Sequence, residues 1–317
     1  MNYVINKKLG FLLIIFPIWV PILYFGLLNI FPDYDKIIFL LYMIILGETH
    51  FGTTWWMYFD KRNQNWLLNN KLYSIYYPLI ILIFLFFMAY LISLELALFV
   101  ILLFNFFHVT RQSIGISKIY FDKSISQNNK NLIINLTYVY STAIILVGIF
   151  RFVLKNEYFT NQILNTNLIF WSLFFVTILF IYFFKKITDL KTIFSFSTGI
   201  LIWYPLLFTT EIYHAFAMGV GMHYMQYLAI TYPIYFRKNK NENISNNINF
   251  LIKFTSYLIL YSVIMVFLSN SDIGKKYSLY LVPIFFQTLH FYADMFTWRF
   301  SIEHVRNNVA KFMFSRT

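Results

Sequence analysis

Apolar runs of about twenty residues alternate with short polar stretches along the chain, a pattern typical of a polytopic helical membrane protein. A transmembrane helix needs roughly 20 mostly apolar residues. Ten runs between charged or Asn-rich breaks meet this requirement: 10–30, 37–59, 73–92, 96–118, 132–154, 167–184, 192–210, 212–235, 250–269 and 278–299. We therefore predict an all-α bundle of about ten transmembrane helices that forms a single integral membrane domain over residues 1–317.

The basic residues predict how this bundle lies in the membrane. Cytoplasmic loops carry an excess of Lys and Arg. With ten spans, 19 of the 25 basic residues fall on one side and 5 on the other, and Arg111 lies inside a span. Both termini are thus predicted to be cytoplasmic, in a multi-pass protein of the cell inner membrane. Because this topology accounts for the net charge of +12, no nucleic-acid partner is needed to explain it.

Composition narrows the chemistry that such a bundle can perform. Charged residues make up only 12% of the chain, about half the share of a soluble domain, and hydrophobic residues make up 59%. The chain has no Cys, which excludes iron–sulfur clusters, zinc–thiolate sites, thiol nucleophiles, c-type haem attachment and disulfides. The six His residues remain as the side chains best suited to bind a transition metal.

Four of these histidines are predicted to lie at one depth. The second, fourth, eighth and tenth spans run inward from the outer face, and each carries a His 12 to 14 residues after its outer charged residue: His50, His108, His223 and His290. At ~1.5 Å per residue, these positions lie within about 3 Å of one another near the midplane. Intramembrane His is usually functional, and neutral imidazole binds Fe, Cu and Zn. The sequence predicts one shared metal site; separate hydrogen bonds to neighbouring helices are the alternative.

A second layer of polar residues follows the four histidines. Positions three and four residues later share the face of each His, and they hold Thr53 and Thr54, Arg111 and Gln112, Gln226 and Tyr227, and Asp294. Such groups orient the rings of metal ligands. We expect Arg111 and Asp294 to form an ion pair, since an isolated charge at this depth is costly. Alternatively, Arg111 extends to the cytoplasmic interface.

Three further residues have weaker predicted roles. Glu48 is two residues from His50, about 200° around the helix, so we expect it to meet another helix, with a proton relay as the alternative. His214 lies nine residues before His223, on the opposite face and ~13.5 Å higher. It is expected in the outer leaflet, or becomes a fifth ligand if the helix breaks around Gly219 and Gly221. His304 is expected to be solvated in the basic tail.

Short segments around the histidines resemble the Brp/Blh family of integral membrane β-carotene 15,15'-dioxygenases. They are Gly47-Glu48-Thr49-His50-Phe51-Gly52, Phe107-His108, His223 in the place of a later paired-His region, and Leu289-His290 through Asp294 and Arg299. The chain departs from the family pattern in two respects. His214 and His223 stand nine apart where the family has paired His four apart, and an additional N-terminal helix is predicted.

The resemblance implies an activity and its partners. Intramembrane His residues would bind Fe²⁺, and the enzyme would use dioxygen to split β-carotene into two molecules of retinal. A related lipophilic substrate is the alternative, and either substrate would enter from the bilayer. Arg111, Gln226 and Asp294 would support the reaction around the metal ligands His50, His108, His223, His290 and His214. Two other classes stay open: a haem- or quinone-linked redox protein, and a metal or proton transporter that uses the same His ring.

Overall fold

The computed structural model describes residues 4–121, 125–154, 189–239 and 244–314, with single positions between 171 and 182. The described residues form helices and contain no strand, which confirms the all-α prediction. Twelve helices are numbered here in chain order: α1 Lys7–Ile15, α2 Trp19–Ile30, α3 Pro32–Tyr58, α4 Lys61–Asn69, α5 Leu72–Ile92, α6 Leu94–Tyr120, α7 Gln127–Val153, α8 Leu190–Leu201, α9 Ile212–Asn239, α10 Ile244–Asn270, α11 Asp272–Lys276 and α12 Leu281–Thr297. Three short helical pieces follow: Glu303–Val305, Arg306–Ala310 and Lys311–Met313.

Several helices are long and apolar enough to cross a membrane, as expected of a multi-pass membrane protein. Within the described ranges there are six: α3, α5, α6, α7, α10, and α8 together with the turn that follows it, Leu190–Leu207. The helices α1 and α2 add a seventh if the bent pair is one span. The predicted span 167–184 lies outside the described residues except at single positions. The count of ten spans and their orientation therefore stay predictions.

The first predicted span is not a straight helix. It divides into α1 and α2, whose axes differ by 63°. The break contains Pro17, which has no backbone N–H to donate and so interrupts helical hydrogen bonding. The Trp19 indole N–H instead donates to the Leu12 carbonyl at 3.1 Å across the bend. The span predicted over 10–30 is therefore a bent pair of helices, and its crossing of the membrane stays a prediction.

The chain groups into two compact units. Unit 1 comprises Met1–Asn6, Leu40–His108 and Tyr227–Thr317, and unit 2 comprises Lys7–Phe39 and Val109–Gln226. The boundaries fall within α3, α6 and α9, so each of these helices contributes to both units. That the whole chain acts as a single membrane domain stays a prediction.

In unit 1, α3 packs closely against α10 through a glycine. A Cβ on Gly52 would lie 3.0 Å from side-chain atoms of Leu258 and Tyr261, which is tighter than ordinary van der Waals contact. One turn along, the Trp56 ring meets Phe254 edge to face, with centroids 5.2 Å apart. This packing holds the face of α3 that carries His50 at a fixed position in the unit.

In unit 2, hydrogen bonds tie α1 to two other helices. The Thr198 hydroxyl donates to the Ile15 carbonyl at 2.7 Å, and the Gln226 amide donates to the Ile14 carbonyl at 2.6 Å. Gly219 lies against the Ile202 carbonyl, and a Cβ at this position would overlap that oxygen. The glycine therefore permits α9 to approach the end of α8.

Candidate metal centre

Three of the predicted histidines converge in unit 1. His50 on α3, His108 on α6 and His290 on α12 each offer a ring nitrogen, and these nitrogens lie within 4.8 Å of one another. His50 and His290 are 0% exposed and His108 is 8% exposed. Because water does not reach the rings, their nitrogens must find partners within the protein, and a cation shared by all three would serve this purpose.

The spacing of the nitrogens fits one ion. Two nitrogens each about 2.1 Å from a metal lie about 3.0 Å apart at a right angle and about 3.4 Å apart at the tetrahedral angle. The Nε2 atoms of His50 and His290 are 2.9 Å apart. Neighbouring ring centroids are 4.6 Å apart for His50 and His290, and 5.0 Å apart for His108 and His290. The three residues can therefore hold a metal ion without large rearrangement.

Asp294 brings a carboxylate to the same place. Its Oδ2 atom lies 3.6 Å from Nε2 of His290 and 3.8 Å from Nε2 of His108. Asp294 is 4% exposed and follows His290 by one helical turn on α12, so both side chains project from one face. The donor atoms that all lie within 4.8 Å of one another are the three imidazole nitrogens, which suit a divalent transition metal, and the carboxylate lies beside two of them.

A network of hydroxyl groups fixes the orientation of these ligands. The Thr54 hydroxyl lies 2.8 Å from Nδ1 of His290, 3.2 Å from Oδ1 of Asp294 and 2.5 Å from the Tyr227 hydroxyl. Tyr227 also donates to Oδ1 of Asp294 at 3.0 Å. With Oδ1 bound by hydroxyl donors, Oδ2 turns towards the histidines. When Nε2 of His290 is a ligand, Nδ1 carries the proton and donates it to Thr54.

Aromatic rings surround the three histidines. The Phe51 ring lies 4.9 Å from the His290 ring, and the Phe291 ring lies 4.7 Å from the His108 ring, measured between centroids. The Tyr227 ring meets the His50 ring edge to face at 4.2 Å. These rings exclude water and lower the local polarity, which strengthens electrostatic interactions inside the centre.

A π-helical turn precedes His50 on α3. It spans Met43–Gly47, directly before Glu48, and rotates the residues that follow relative to a regular α-helix. Such turns are frequent at functional sites. The prediction placed His50 by counting residues at a uniform rise, and the sequence contains no signal for this turn.

His223 and Gln226 belong to unit 2. His223 is 0% exposed on α9, four residues before Tyr227, so both side chains leave the same face of that helix. The Gln226 amide, predicted to orient a ligand, donates to the Ile14 carbonyl. His223 as a fourth imidazole ligand and Gln226 as a supporting residue stay predictions.

His214 lies in a separate cluster of unit 2. Its Nδ1 is 2.9 Å from the Tyr24 hydroxyl, and its Nε2 is 4.0 Å from a carboxylate oxygen of Asp35. The helix α9 is continuous through Gly219 and Gly221, so the break that would make His214 a fifth ligand is absent. The placement of His214 in the outer leaflet stays a prediction.

Arg111 and Asp294 were predicted to pair. Arg111 is exposed on α6 and belongs to unit 2, whereas Asp294 belongs to unit 1. The contacts of Asp294 within unit 1 are with histidines and hydroxyl groups, including Thr297 at 3.3 Å. The ion pair stays a prediction.

Glu48 meets another helix, as predicted. It is 2% exposed, and the Gln287 amide on α12 donates to its Oε1 atom at 3.0 Å. His304, expected to be solvated, is instead half-buried: its ring stacks on Trp66 at 5.3 Å and hydrogen-bonds Asn63 at 2.8 Å. The expectation for His304 is therefore wrong, because the basic tail folds back onto α4.

Two roles at the centre were underestimated from the sequence. Asp294 was predicted to orient the ring of a metal ligand and to pair with Arg111, whereas its Oδ2 atom lies 3.6 Å and 3.8 Å from the Nε2 atoms of His290 and His108. Tyr227 was grouped with His223, but it contacts Thr54 and Asp294. The spacing of four residues between His290 and Asp294 was the available signal for the carboxylate.

Comparison with known proteins identifies no family and no relative for this chain. No protein-family model, no curated protein and no solved structure matches the chain.

Proposed function

We propose that the protein is a non-haem, Fe²⁺-dependent membrane oxygenase that cleaves a lipophilic polyene, with β-carotene as substrate and retinal as product. It works from the inner membrane, with both termini in the cytoplasm. The observation that carries the proposal is the convergence of His50, His108 and His290, with Asp294 beside them, in a water-excluded part of unit 1. The substrate comes from the resemblance of the His segments to the Brp/Blh family.

The donor set supports iron over other ions. Carboxylate combined with imidazole, with positions left open, is typical of non-haem Fe(II) oxygenases. Zinc would accept the same donors, but it has no redox chemistry. When bound, Fe²⁺ would supply open coordination positions and redox activity for the activation of dioxygen. The cleaved double bond would be the reductant, and each of its two carbons would take one oxygen atom of O2 to become an aldehyde.

The geometry argues against a haem between these rings. The axial nitrogens of a bis-His haem lie on opposite sides of the porphyrin plane. Here the Nε2 atoms of His50 and His290 are 2.9 Å apart, and the rings meet at an interplanar angle of 74°. A porphyrin does not fit between side chains in this arrangement.

The residues of the chain have separable tasks in the proposed reaction. The three imidazoles, with the Asp294 carboxylate beside them, would hold the metal. Thr54 and Tyr227 hold the protons of the network at their hydroxyl oxygens and keep Asp294 oriented. Phe51 and Phe291 exclude water, which protects a reactive intermediate from hydrolysis. The substrate partitions into the bilayer and needs no aqueous path.

The proposal is tested by producing the protein in a β-carotene-accumulating bacterium and measuring colour loss and retinal by chromatography. We expect retinal in cells with the wild-type protein and none with His290→Ala. The purified protein should contain about one iron per chain and show no Soret absorption band. Folded, iron-loaded protein that leaves the pigment unchanged would reject the carotene substrate.

The same preparation distinguishes the two other classes. A Soret band would identify a haem protein. Proteoliposomes that accumulate Fe²⁺ or protons in a manner that requires His290 would identify a transporter. Neither result is compatible with the proposed oxygenase as the function of the centre.

A further inference from the structure

Basic side chains from three separate segments of unit 1 converge near Phe312 in the C-terminal tail. They are Arg62 on α4, Arg237 and Lys238 near the end of α9, and Lys311 beside Phe312, and we call them the basic cap. Basic residues that only set the orientation of a membrane protein act from separate loops and need no contact with one another. The convergence of these four therefore calls for a further explanation.

The ring and the backbone of Phe312 hold the cap together. The Arg62 guanidinium and the Lys311 ammonium each lie 5.9 Å from the centroid of the Phe312 ring, within the range of a cation–π interaction. The two charges therefore lie at most twice this distance apart. The Arg237 guanidinium donates to the Phe312 carbonyl at 3.0 Å and to the Val4 carbonyl. Arg237 thus fixes the backbone of the residue whose ring holds the two other cations.

The cap carries more positive than negative charge. Within the described residues, its ion pair joins Nζ of Lys238 to Oδ2 of Asp60 at 2.9 Å. Lys238 is 5% exposed, so this pair is internal to the protein. No carboxylate oxygen of the described residues lies within 4.0 Å of the charged groups of Arg62, Arg237 and Lys311. An external anion between these groups would offset their mutual repulsion.

Two of these three cations are accessible to such an anion. Arg62 and Lys311 are exposed, whereas the Arg237 guanidinium is occupied by backbone carbonyls. The Arg62 guanidinium uses one nitrogen to donate to the Lys238 carbonyl at 3.1 Å. An arginine has five N–H donors and a lysine has three, so both side chains keep donors for the oxygens of a ligand.

The cap lies where lipid headgroups are expected. The helix α3 is among those long and apolar enough to cross a membrane, and it ends at Tyr58, four residues before Arg62. Between them, Phe59 is 63% exposed, and Leu68 on α4 is 58% exposed, so apolar surface for an acyl chain adjoins the cap along the sequence. Basic clusters directly beyond a membrane helix attract anionic lipids.

We propose that the basic cap binds the headgroup of an anionic phospholipid, with its phosphate between Arg62 and Lys311. A phosphodiester has two unesterified oxygens, which match the planar fork of a guanidinium and the point charge of an ammonium. A zwitterionic headgroup brings its own positive charge to the cap and is disfavoured. The inference is independent of the metal centre and of its proposed reaction.

Binding is measured by native mass spectrometry of the full-length protein released from detergent micelles. Phosphatidylglycerol is titrated against phosphatidylcholine with the same acyl chains. The test variant is Arg62→Gln/Lys311→Gln. The matched control is Lys275→Gln/Lys276→Gln on α11, which removes the same charge from two exposed residues. The Lys276 ammonium also lies over an aromatic ring, 5.4 Å from the Tyr277 centroid.

We expect the wild type to prefer phosphatidylglycerol. Each basic group beside an anionic lipid changes affinity about fivefold, so the Arg62→Gln/Lys311→Gln variant should bind it about 30-fold more weakly, and the control should bind it as the wild type does. The exchange Arg62→Lys/Lys311→Arg keeps both charges and should retain most of the affinity. Equal affinity in the two Gln variants would overturn the inference. So would a wild type without preference for phosphatidylglycerol, or an exchange variant that loses as much affinity as the Gln variant at the cap.

Soluble phosphate is the other source of the same chemistry. Inorganic phosphate is therefore added at millimolar concentration to the protein loaded with phosphatidylglycerol. Retention of the lipid supports a headgroup site, because the acyl chains contribute contacts that free phosphate lacks. Release of the lipid by inorganic phosphate from the wild type would overturn the lipid assignment and identify a site for a soluble phosphate.

Discussion

Each unit contains a cluster in which histidine, aspartate and tyrosine meet, and the two clusters differ in how many ring nitrogens share one space. In unit 1, three nitrogens of three helices lie within 4.8 Å of one another. In unit 2, the single ring of His214 lies between the Tyr24 hydroxyl and the Asp35 carboxylate. One ring can be satisfied by its neighbours, whereas three converging rings favour a shared cation.

Burial separates the two clusters further. The side chains of His290 and Asp294 are 0% and 2% exposed, whereas those of His214 and Asp35 are 12% and 36% exposed. Water screens the second pair and can complete its hydrogen bonds. Residue types alone therefore do not identify a metal centre, and the convergence of buried donors is the discriminating feature.

The largest predicted effect comes from removing one ring in each cluster. His290→Ala removes a candidate ligand from the unit 1 centre. We expect the affinity for Fe²⁺ to fall by more than about 100-fold and the proposed activity to be lost. His214→Ala should leave iron content unchanged. Elemental analysis of purified protein, titrated with Fe²⁺ under anaerobic conditions, provides the measurement. Equal loss in both variants would make the two clusters parts of one site and contradict the comparison.

A smaller loss of metal affinity is expected when the charge of Asp294 is removed, with Asp35 as the matched control. Asp294→Asn keeps the shape but removes the charge that faces two histidines, so metal affinity should fall by about 10- to 100-fold. Asp35→Asn, the matched change in unit 2, should have no effect on metal affinity. The same titration measures both variants. Unchanged affinity in Asp294→Asn would show that its carboxylate is not a ligand.

The Thr54 hydroxyl tests whether the network orients the ligands. Thr54→Val leaves Nδ1 of His290 and Oδ1 of Asp294 without this partner, and we expect about a tenfold loss of metal affinity. The buried groups also lose hydrogen bonds, which should lower the free energy of unfolding by about 1–3 kcal/mol. Thr54→Ser restores the hydroxyl and should recover affinity. Failure of Ser to rescue would assign the effect to packing of the methyl group.

The smallest effect concerns His304, a histidine outside the spans that belongs to neither cluster. Partial burial, and then the nearby positive charge of Lys238, lower the pKa of His304 below its ordinary value of 6.5. Above pH 6.5 the ring is neutral in both the folded and the unfolded chain. As the pH falls below 6.5, the unfolded chain binds a proton first, so stability should decrease. Thermal unfolding between pH 7.5 and 5.5 should show a weaker dependence in His304→Gln than in the wild type.

Of the four histidines that the sequence placed at one depth, His50, His108 and His290 lie together in the structure. The common depth of His50, His108 and His290 followed from the regular rise of a helix and the alternating direction of the spans. Lateral neighbours do not follow from these rules, since helices of similar depth can pack in different orders. His223 has the same predicted depth as the others but lies in unit 2.

Local backbone irregularities were the least predictable part of the fold. The π-helical turn Met43–Gly47 and the bend between α1 and α2 both lie within runs that read as regular helices. Pro17 was a visible signal for the bend, but no residue type marks the π-turn.

The long separation of the metal-binding residues along the chain has a consequence for biosynthesis. His50 and His290 are 240 residues apart. At about 5–20 residues per second, the ribosome adds His290 roughly 10 to 50 s after His50. Until then at most two of the three imidazoles, and no carboxylate from α12, are present in the nascent chain. The complete set of donors at the candidate centre therefore exists only after α12 has been synthesised.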